Sequence, residues 1–426
     1  MLILIGLLFL FMLLGIPIAF SIGAASLFYV ILDPSLSETT AIQRMVSGVN
    51  SFTFLAIPFF IFAGNLMNSG GITNRIFEFA AVCVGHIRGG LAHVNVASSV
   101  IFAGMSGAAV ADAGGLGAAT IKAMRAKGYG ERVSIGVTAA SSIIGPIIPP
   151  SMAIIVYAIA SSQSIERLFA AGIVPGLLMA LSLMVMIYIF SERLKCPTEK
   201  RANRKEIWLA FIRALPSLMA PAIILGGIFT GIFSPTESAA IACSYAIILS
   251  IIYKEFSYTS FKASVMSSVV TSVQVLLIVA SANLFAWILT SKEIPQNISQ
   301  VILSTTENYL LILLALNLLL LLVGLFLETV AAINLLVPII LPIMTVGFGM
   351  DPIQLGIIVV LNLIIGTLTP PFGTVLFVLS SVSNTPVEKV TRYTATFLPP
   401  LIIVLILVNI FPELSLWLPN FFFGSN

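Results

Sequence analysis

One helix-breaking octet occurs twice in this chain, and it limits the possible folds more than any other feature. Ile143-Ile144-Gly145-Pro146-Ile147-Ile148-Pro149-Pro150 is matched 221 residues later by Ile364-Ile365-Gly366-Thr367-Leu368-Thr369-Pro370-Pro371. In an α-helix each amide bonds the carbonyl four residues back, and proline has no amide. Pro149 and Pro150 therefore release the carbonyls of Gly145 and Pro146, and Pro370 and Pro371 release those of Gly366 and Thr367. Both octets lie in apolar stretches, 131–160 and 354–380, long enough to cross roughly 30 Å of hydrocarbon. Each stretch is expected to be a broken helix with bare carbonyl oxygens near mid-membrane. Hard cations favour such oxygens, and broken helices of transporters coordinate Na⁺ or H⁺ with them.

Lipid must be the main solvent of the chain. Its 426 residues are 59% hydrophobic and 9% charged, with a mean hydropathy of +1.11. Soluble domains carry roughly 25% charged residues. A net charge of +3 gives no sign of a nucleic-acid partner. Cys83, Cys196 and Cys243 have no metal-ligand spacing, and two histidines, His86 and His93, are too few for a histidine-rich metal centre. The stretch Met1–Ile31 lacks a basic start and a small-residue cleavage site, so it reads as a retained first span rather than a signal peptide.

Further single spans are expected near 2–32, 50–68, 71–87, 165–191, 214–232, 237–254, 263–290 and 393–419. Segments 90–125 and 308–347 fit a single crossing badly. Ser106-Gly107-Ala108-Ala109-Val110-Ala111-Asp112 interrupts the first, and Glu328-Thr329 the second. Both read as re-entrant hairpins, whose interrupted backbone is tolerated only against protein or a watery cavity. Arg193, Lys195, Lys200, Arg201, Arg204 and Lys205 make the linker 193–213 cytoplasmic, with a short interfacial helix around Ile207-Trp208-Leu209. Counting from that linker places the first hairpin's ends inside, and the second hairpin's ends and both termini outside.

The halves then align. Gly104 matches Gly324 at an offset of 220, and Ala63-Gly64-Asn65-Leu66 matches Ser281-Ala282-Asn283-Leu284 at 218. Five crossings per half invert the second copy. The expected fold is an all-α integral membrane protein with inverted repeats 1–192 and 214–426.

The chemistry is expected at the tips and breaks. Ser106, Gly107 and Asp112 offer hydroxyl, flexible backbone and carboxylate; Glu328 and Thr329 offer the same in the other half. A half-helix starting at such a tip turns its positive end toward an anion. Thr53, Ser151, Thr369 and Thr374 are further hydroxyls, and Glu237 after Ser234-Pro235-Thr236 reads as a helix cap.

At these motifs the chain resembles the large membrane subunit of tripartite ATP-independent periplasmic (TRAP) transporters. The resemblance runs nearly end to end. It rests on Gly104-Met105-Ser106-Gly107-Ala108-Ala109-Val110-Ala111-Asp112, Gly145-Pro146-Ile147-Ile148-Pro149-Pro150-Ser151, Gly231-Ile232-Phe233-Ser234-Pro235-Thr236-Glu237-Ser238-Ala239-Ala240 and Thr369-Pro370-Pro371. Ala108 and Ala109 stand where that family is usually richer in serine. The resemblance implies Na⁺-driven import at the bacterial inner membrane by an elevator movement. It also implies a small membrane subunit on a separate chain and a periplasmic substrate-binding protein. Substrates would be C4-dicarboxylates, sialic acid or similar carboxylates; no cofactor is expected besides Na⁺ as coupling ion, and no catalysis.

Combined with the tip residues, the resemblance puts Gly104, Ser106, Gly145, Ile148 and Pro149 at one sodium site. Gly324, Thr329, Gly366, Thr369 and Pro370 form the other. Ser106, Gly107, Asp112, Ser151, Glu328 and Thr369 surround the substrate. A stand-alone anion symporter or Na⁺/H⁺ antiporter of the same fold is the competing reading. An intramembrane enzyme using Asp112 and Glu328 as an acid pair is disfavoured, since no nucleophile–base or metal-spaced cluster accompanies them.

Overall fold

The structure is a computed structural model describing residues 2–107, 109–193, 196–197, 202–305, 308–370 and 373–424. The described residues form helices joined by short turns, with no strand. In a bilayer a helix satisfies its own backbone groups, so apolar segments of this kind adopt it.

The N-terminal half comprises α1 (Leu2–Leu13), α2 (Ile18–Leu32), α3 (Glu38–Ser47), α4 (Ala56–Ser69), α5 (Ile72–Val84), α6 (Gly90–Ser106), α7 (Ala109–Gly114), α8 (Leu116–Ala126), α9 (Glu131–Ser142), α10 (Met152–Ser161) and α11 (Ile165–Phe190). The C-terminal half follows as α12 (Arg204–Phe229), α13 (Pro235–Ile252), α14 (Tyr258–Ser291), α15 (Ile294–Thr305), α16 (Tyr309–Phe326), α17 (Thr329–Pro342), α18 (Pro352–Gly366), α19 (Thr374–Ser383), α20 (Val387–Ala395), α21 (Leu398–Ile410) and α22 (Glu413–Phe423). Among the described residues, seven helical segments are long and apolar enough to cross a membrane, and eight with the bent pair α20–α21.

Two hairpins and two broken helices form the centre of the fold. The first hairpin runs up α6, turns at Gly107 and returns through α7 and α8, with α8 packed beside α6. Gly107 has φ +61°, and a Cβ there would stand 2.7 Å from the Pro150 carbonyl oxygen, so glycine alone suits this turn. The second hairpin is α16 and α17, turning at Leu327-Glu328. The first octet separates α9 from α10, and the second separates α18 from α19, as the prolines require. The second piece of each broken helix packs on the other half's hairpin: α10 lies on α17, and α19 on α7 and α8.

Around this centre α4 packs on α13 and α14, α5 on α12, and α14 on α2. Most buried apolar side chains form one continuous core. A smaller cluster joins Leu4, Leu8, Ile22 and Tyr29 to Leu284, Phe285 and Ile288 at the end of α14.

Three expectations are corrected. The stretch 2–32 is two helices, because Gly15 (φ +79°) takes the left-handed stop position and Pro17 follows. The amide of Ile16 closes that stop on the Phe11 carbonyl. The stretch 393–419 is likewise divided, by a 53° bend between α20 and α21 and again at Phe411-Pro412. The interfacial helix near Trp208 is not separate: α12 runs unbroken for 26 residues, across the 213/214 boundary and through Pro216 and Pro221. Residues 294–305, between the expected span 263–290 and hairpin 308–347, form a further helix, α15. The expected cap does form: Glu237 accepts the Ser234 amide at 2.8 Å while Ser234 Oγ accepts the Glu237 amide at 3.3 Å.

Candidate functional site

Hairpin tips and helix breaks meet at the middle of the molecule and open onto two adjoining clefts. Gly107, Pro146, Met152, Glu328, Thr329, Thr367 and Thr374 line the inner one. The larger cleft encloses about 1260 Å³ of empty space and shares Val110, Met152, Glu328 and Val330 with the inner one. Its far wall is made by α4 and α14.

The first break is built around Ser151. Its hydroxyl donates to the Pro146 carbonyl and accepts the Ile154 amide at 3.2 Å. Ser151 thereby caps α10 and takes up one of the two carbonyls that the prolines release. Ser151 is fully buried and is not among the residues lining the two clefts. Among the described residues, the carbonyls of Gly145, Ile148 and Pro149 accept no hydrogen bond.

Asp112 lies on α7, 2% exposed, away from the clefts and against the Gly145 backbone. A methyl group added to Gly145 would run into Asp112 Oδ2. A carboxylate thus stands against the break whose carbonyls go unbonded, and both are hard oxygen donors.

The second break closes more of its own bonds. The Gly366 carbonyl accepts the Thr369 amide at 2.9 Å, and the Thr367 carbonyl accepts the Val375 amide at 3.3 Å. The expected bare oxygens are therefore re-paired here, because the loop 367–373 curls back on itself. Each carbonyl keeps a second lone pair. Thr369 Oγ donates back to the Ile365 carbonyl at 3.0 Å and faces neither cleft. Thr367, not singled out from sequence as a hydroxyl, lines the inner cleft instead. Gly324 and Gly366 pack backbone to backbone: a Cβ on Gly324 would meet Leu363 O at 2.7 Å and Gly366 Cα at 3.1 Å. Pro370 is exposed, and Pro371 and Ala108 lie outside the described residues, as do the side chains of Gly104 and Ser106.

Glu328 faces both clefts, and its carboxylate accepts the amides of Val330 at 3.0 Å and Ala331 at 3.3 Å. These bonds engage the first amides of α17, the half-helix that starts at the second tip. Glu328 already occupies the start of α17, and Ser151 that of α10.

Side-chain amides tie each hairpin to its own broken helix, a feature missed in the sequence. Asn95 on α6 donates to Thr138 Oγ at 2.6 Å and accepts from Ser141 Oγ at 3.3 Å, both on α9. In the other half Asn362 on α18 donates to Asn317 on α16 at 2.8 Å, and Asn317 exchanges two hydrogen bonds with Asn409 on α21. Asn95 and Asn317 are 222 residues apart, and Ser141 and Asn362 are 221 apart. That common offset was the available signal. Thr53 does not line the clefts, and Thr374 does. Among the described residues no group of three or more His, Cys, Asp or Glu is arranged to hold a metal ion.

The family described as "Tripartite ATP-independent periplasmic transporter, DctM component" matches residues 5–414. The sialic acid TRAP transporter large permease protein SiaM of Vibrio cholerae is 44% identical over 96% of this chain and 96% of its own length. The C4-dicarboxylate TRAP transporter large permease protein DctM of Pseudomonas aeruginosa is 39% identical over 94% of each chain. Among solved structures, the YdaH transporter of Alcanivorax borkumensis superposes with a TM-score of 0.58 over 88% of each chain, at 13% identity, a likeness of fold.

Proposed function

This chain belongs to the DctM-component family of tripartite ATP-independent periplasmic transporters, and we propose that it imports a small organic acid anion driven by Na⁺. It is a multi-pass protein of the bacterial inner membrane and a transporter permease. The observation that carries the Na⁺ reading is the Asp112 carboxylate held against Gly145, at the break where the carbonyls of Gly145, Ile148 and Pro149 accept no hydrogen bond among the described residues. Gly145, Ile148 and Pro149 supply neutral oxygens and Asp112 the charge for one ion. Gly366, Thr367 and the neighbouring Glu328 supply the same kinds of donor for a second.

The anion then occupies the inner cleft, between the tips. Among the described residues lining the two clefts there is no Arg, Lys or His, and Glu328 is an acid. Two helix starts are already capped. A carboxylate entering this wall finds no protein cation to offset its desolvation, so it binds after the Na⁺ ions and because of them. That order is the coupling. The relatives carry sialic acid and C4-dicarboxylates by name, which supports a carboxylate for this chain.

Movement follows the packing. Each hairpin is tied by asparagine to its own broken helix and packs on the other half's second piece, so α6–α10 and α16–α19 travel as one body. The surrounding helices, with α4, α5, α12, α13 and α14 among them, form the wall it slides along as an elevator. A small membrane subunit packs beside that wall and a periplasmic binding protein delivers the substrate.

Uptake of labelled substrate by proteoliposomes tests this, with and without a Na⁺ gradient and a candidate binding protein. Uptake should collapse when the gradient is dissipated. Uptake indifferent to Na⁺ overturns the reading, and Na⁺-driven uptake needing no second protein replaces it with a stand-alone symporter.

A further inference from the structure

Across the larger cleft from the hairpin tips stands a wall of neutral polar side chains that ion coupling does not use. Asn65 and Asn68 project from α4, and Ser267, Thr271 and Gln274 from α14. The spacing of four and then three residues on α14 puts its three side chains on one face. Met266, Val269, Val270 and Val273 on the same helix are exposed and apolar, as lipid-facing residues are. Gln274 lies near the middle of a 34-residue helix, where a polar amide facing hydrocarbon would be costly.

The three α14 groups are separate from those that hold α14 to α4, while Asn65 serves both the wall and that contact. That task falls to the next stripe round: Asn65 donates to Ser268 at 2.8 Å and Ser69 meets Ser264 at 3.3 Å. Ser268 and Ser272 also bond back to carbonyls of their own helix. Among the described residues, the side chains of Ser267, Thr271 and Gln274 make no hydrogen bond to protein. They face open space, with donors and acceptors at membrane depth.

We infer that Asn65, Asn68, Ser267, Thr271 and Gln274 select for hydroxyl and amide groups on the carried acid, so that this chain prefers a polyhydroxylated monocarboxylate to a bare dicarboxylate. The inference rests on the transport reading above and narrows its substrate class. A second carboxylate facing this wall meets no counter-charge, with Glu328 as the one ionisable residue among the described residues lining the cleft. A hydroxyl or acetamido group meets partners of both kinds. Sites that hydrogen-bond a substrate's polar groups reject analogues lacking them far more strongly than apolar pockets do.

The test is competitive uptake of N-acetylneuraminate and succinate by the permease reconstituted with its small subunit and binding protein. The wild type should favour N-acetylneuraminate by at least about ten-fold in kcat/KM. Gln274→Leu and Thr271→Val should each reduce that ratio several-fold and leave the Na⁺ half-saturation unchanged. Thr271→Ser, which keeps the hydroxyl, should retain the ratio and shows that the helix tolerates change at this position. Wild-type preference for succinate, or Leu and Val variants with the wild-type ratio, overturns the inference while Na⁺-driven import stands. Uptake of neither acid overturns both.

Discussion

Ser151 and Asp112, both expected beside the substrate, are turned onto the backbone of the first break. The Ser151 hydroxyl caps α10 and takes the Pro146 carbonyl, so its removal leaves a buried acceptor and an open helix start. Ser151→Ala should lower stability by about 1–3 kcal/mol, seen as an earlier thermal unfolding transition in detergent. The Na⁺ half-saturation should move little. Asp112→Asn is isosteric and removes the one formal charge at the Gly145 break. Its Na⁺ half-saturation should rise about ten-fold or more, the size of a lost pairing of roughly 1.4 kcal/mol. An unchanged value, measured as Na⁺-dependent uptake, would place the cation elsewhere.

Hairpins and broken helices are joined by two kinds of contact, and each has its own test. Asn317 ties α16 to α18 and α21, with Asn362 fully buried. Asn317→Leu leaves Asn409 Oδ1 without its donor, while Asn362 and Asn409 still donate to Ile358 and Leu405 carbonyls, and should destabilise by about 1–3 kcal/mol. A double-mutant cycle with Asn409→Leu should show coupling, since the two amides exchange bonds. Averages near 0.6 kcal/mol for interhelical hydrogen bonds in membranes set the lower bound. Gly324 packs directly on Gly366 and the Leu363 carbonyl. Gly324→Ala should part α16 from α18 and impair Na⁺ dependence more than Gly226→Ala, a position where a Cβ meets nothing within 4 Å.

At the scale of the whole molecule, one ionic clasp outside the spans holds the N-terminal helices to the end of α14. Lys292 Nζ lies 2.6 Å from Asp33 Oδ2 and donates to Ser35 Oγ at 2.9 Å, while Ser35 bonds Asp33 Oδ1 at 2.7 Å. The hydrogen bond from Lys292 holds the Asp33 carboxyl well below the usual carboxylate range, and the same bond raises Lys292. A lowered carboxylate contributes stability that is present above its unfolded pKa, about 4, and lost as pH falls toward its folded value. The raised lysine contributes below its unfolded pKa and loses that contribution as pH rises through its folded one. Thermal unfolding of Asp33→Asn should therefore depend less on pH below about 4 than the wild type. Equal slopes would show that the clasp is already released.

The paired prolines made the two broken helices legible, because two adjacent missing amides end the ladder where single prolines, as at Pro216 and Pro221, leave α12 continuous. Apolar length made the spans and hairpins legible, since hydrocarbon admits only self-bonded backbone. The cap at Glu237 was legible from four consecutive residues. Local signals were weaker where neighbours decide: Gly15 and Phe411 divide stretches whose hydropathy is continuous, and α15 forms between an expected span and an expected hairpin. Which oxygens stay open at the breaks was a tertiary matter, because Ser151, Thr369 and Val375 supply donors only once each loop has curled. So was the seating of Asp112 on Gly145, and the facing of α4 and α14 toward the tips. A sequence specifies which groups lack local partners; only packing decides what meets them.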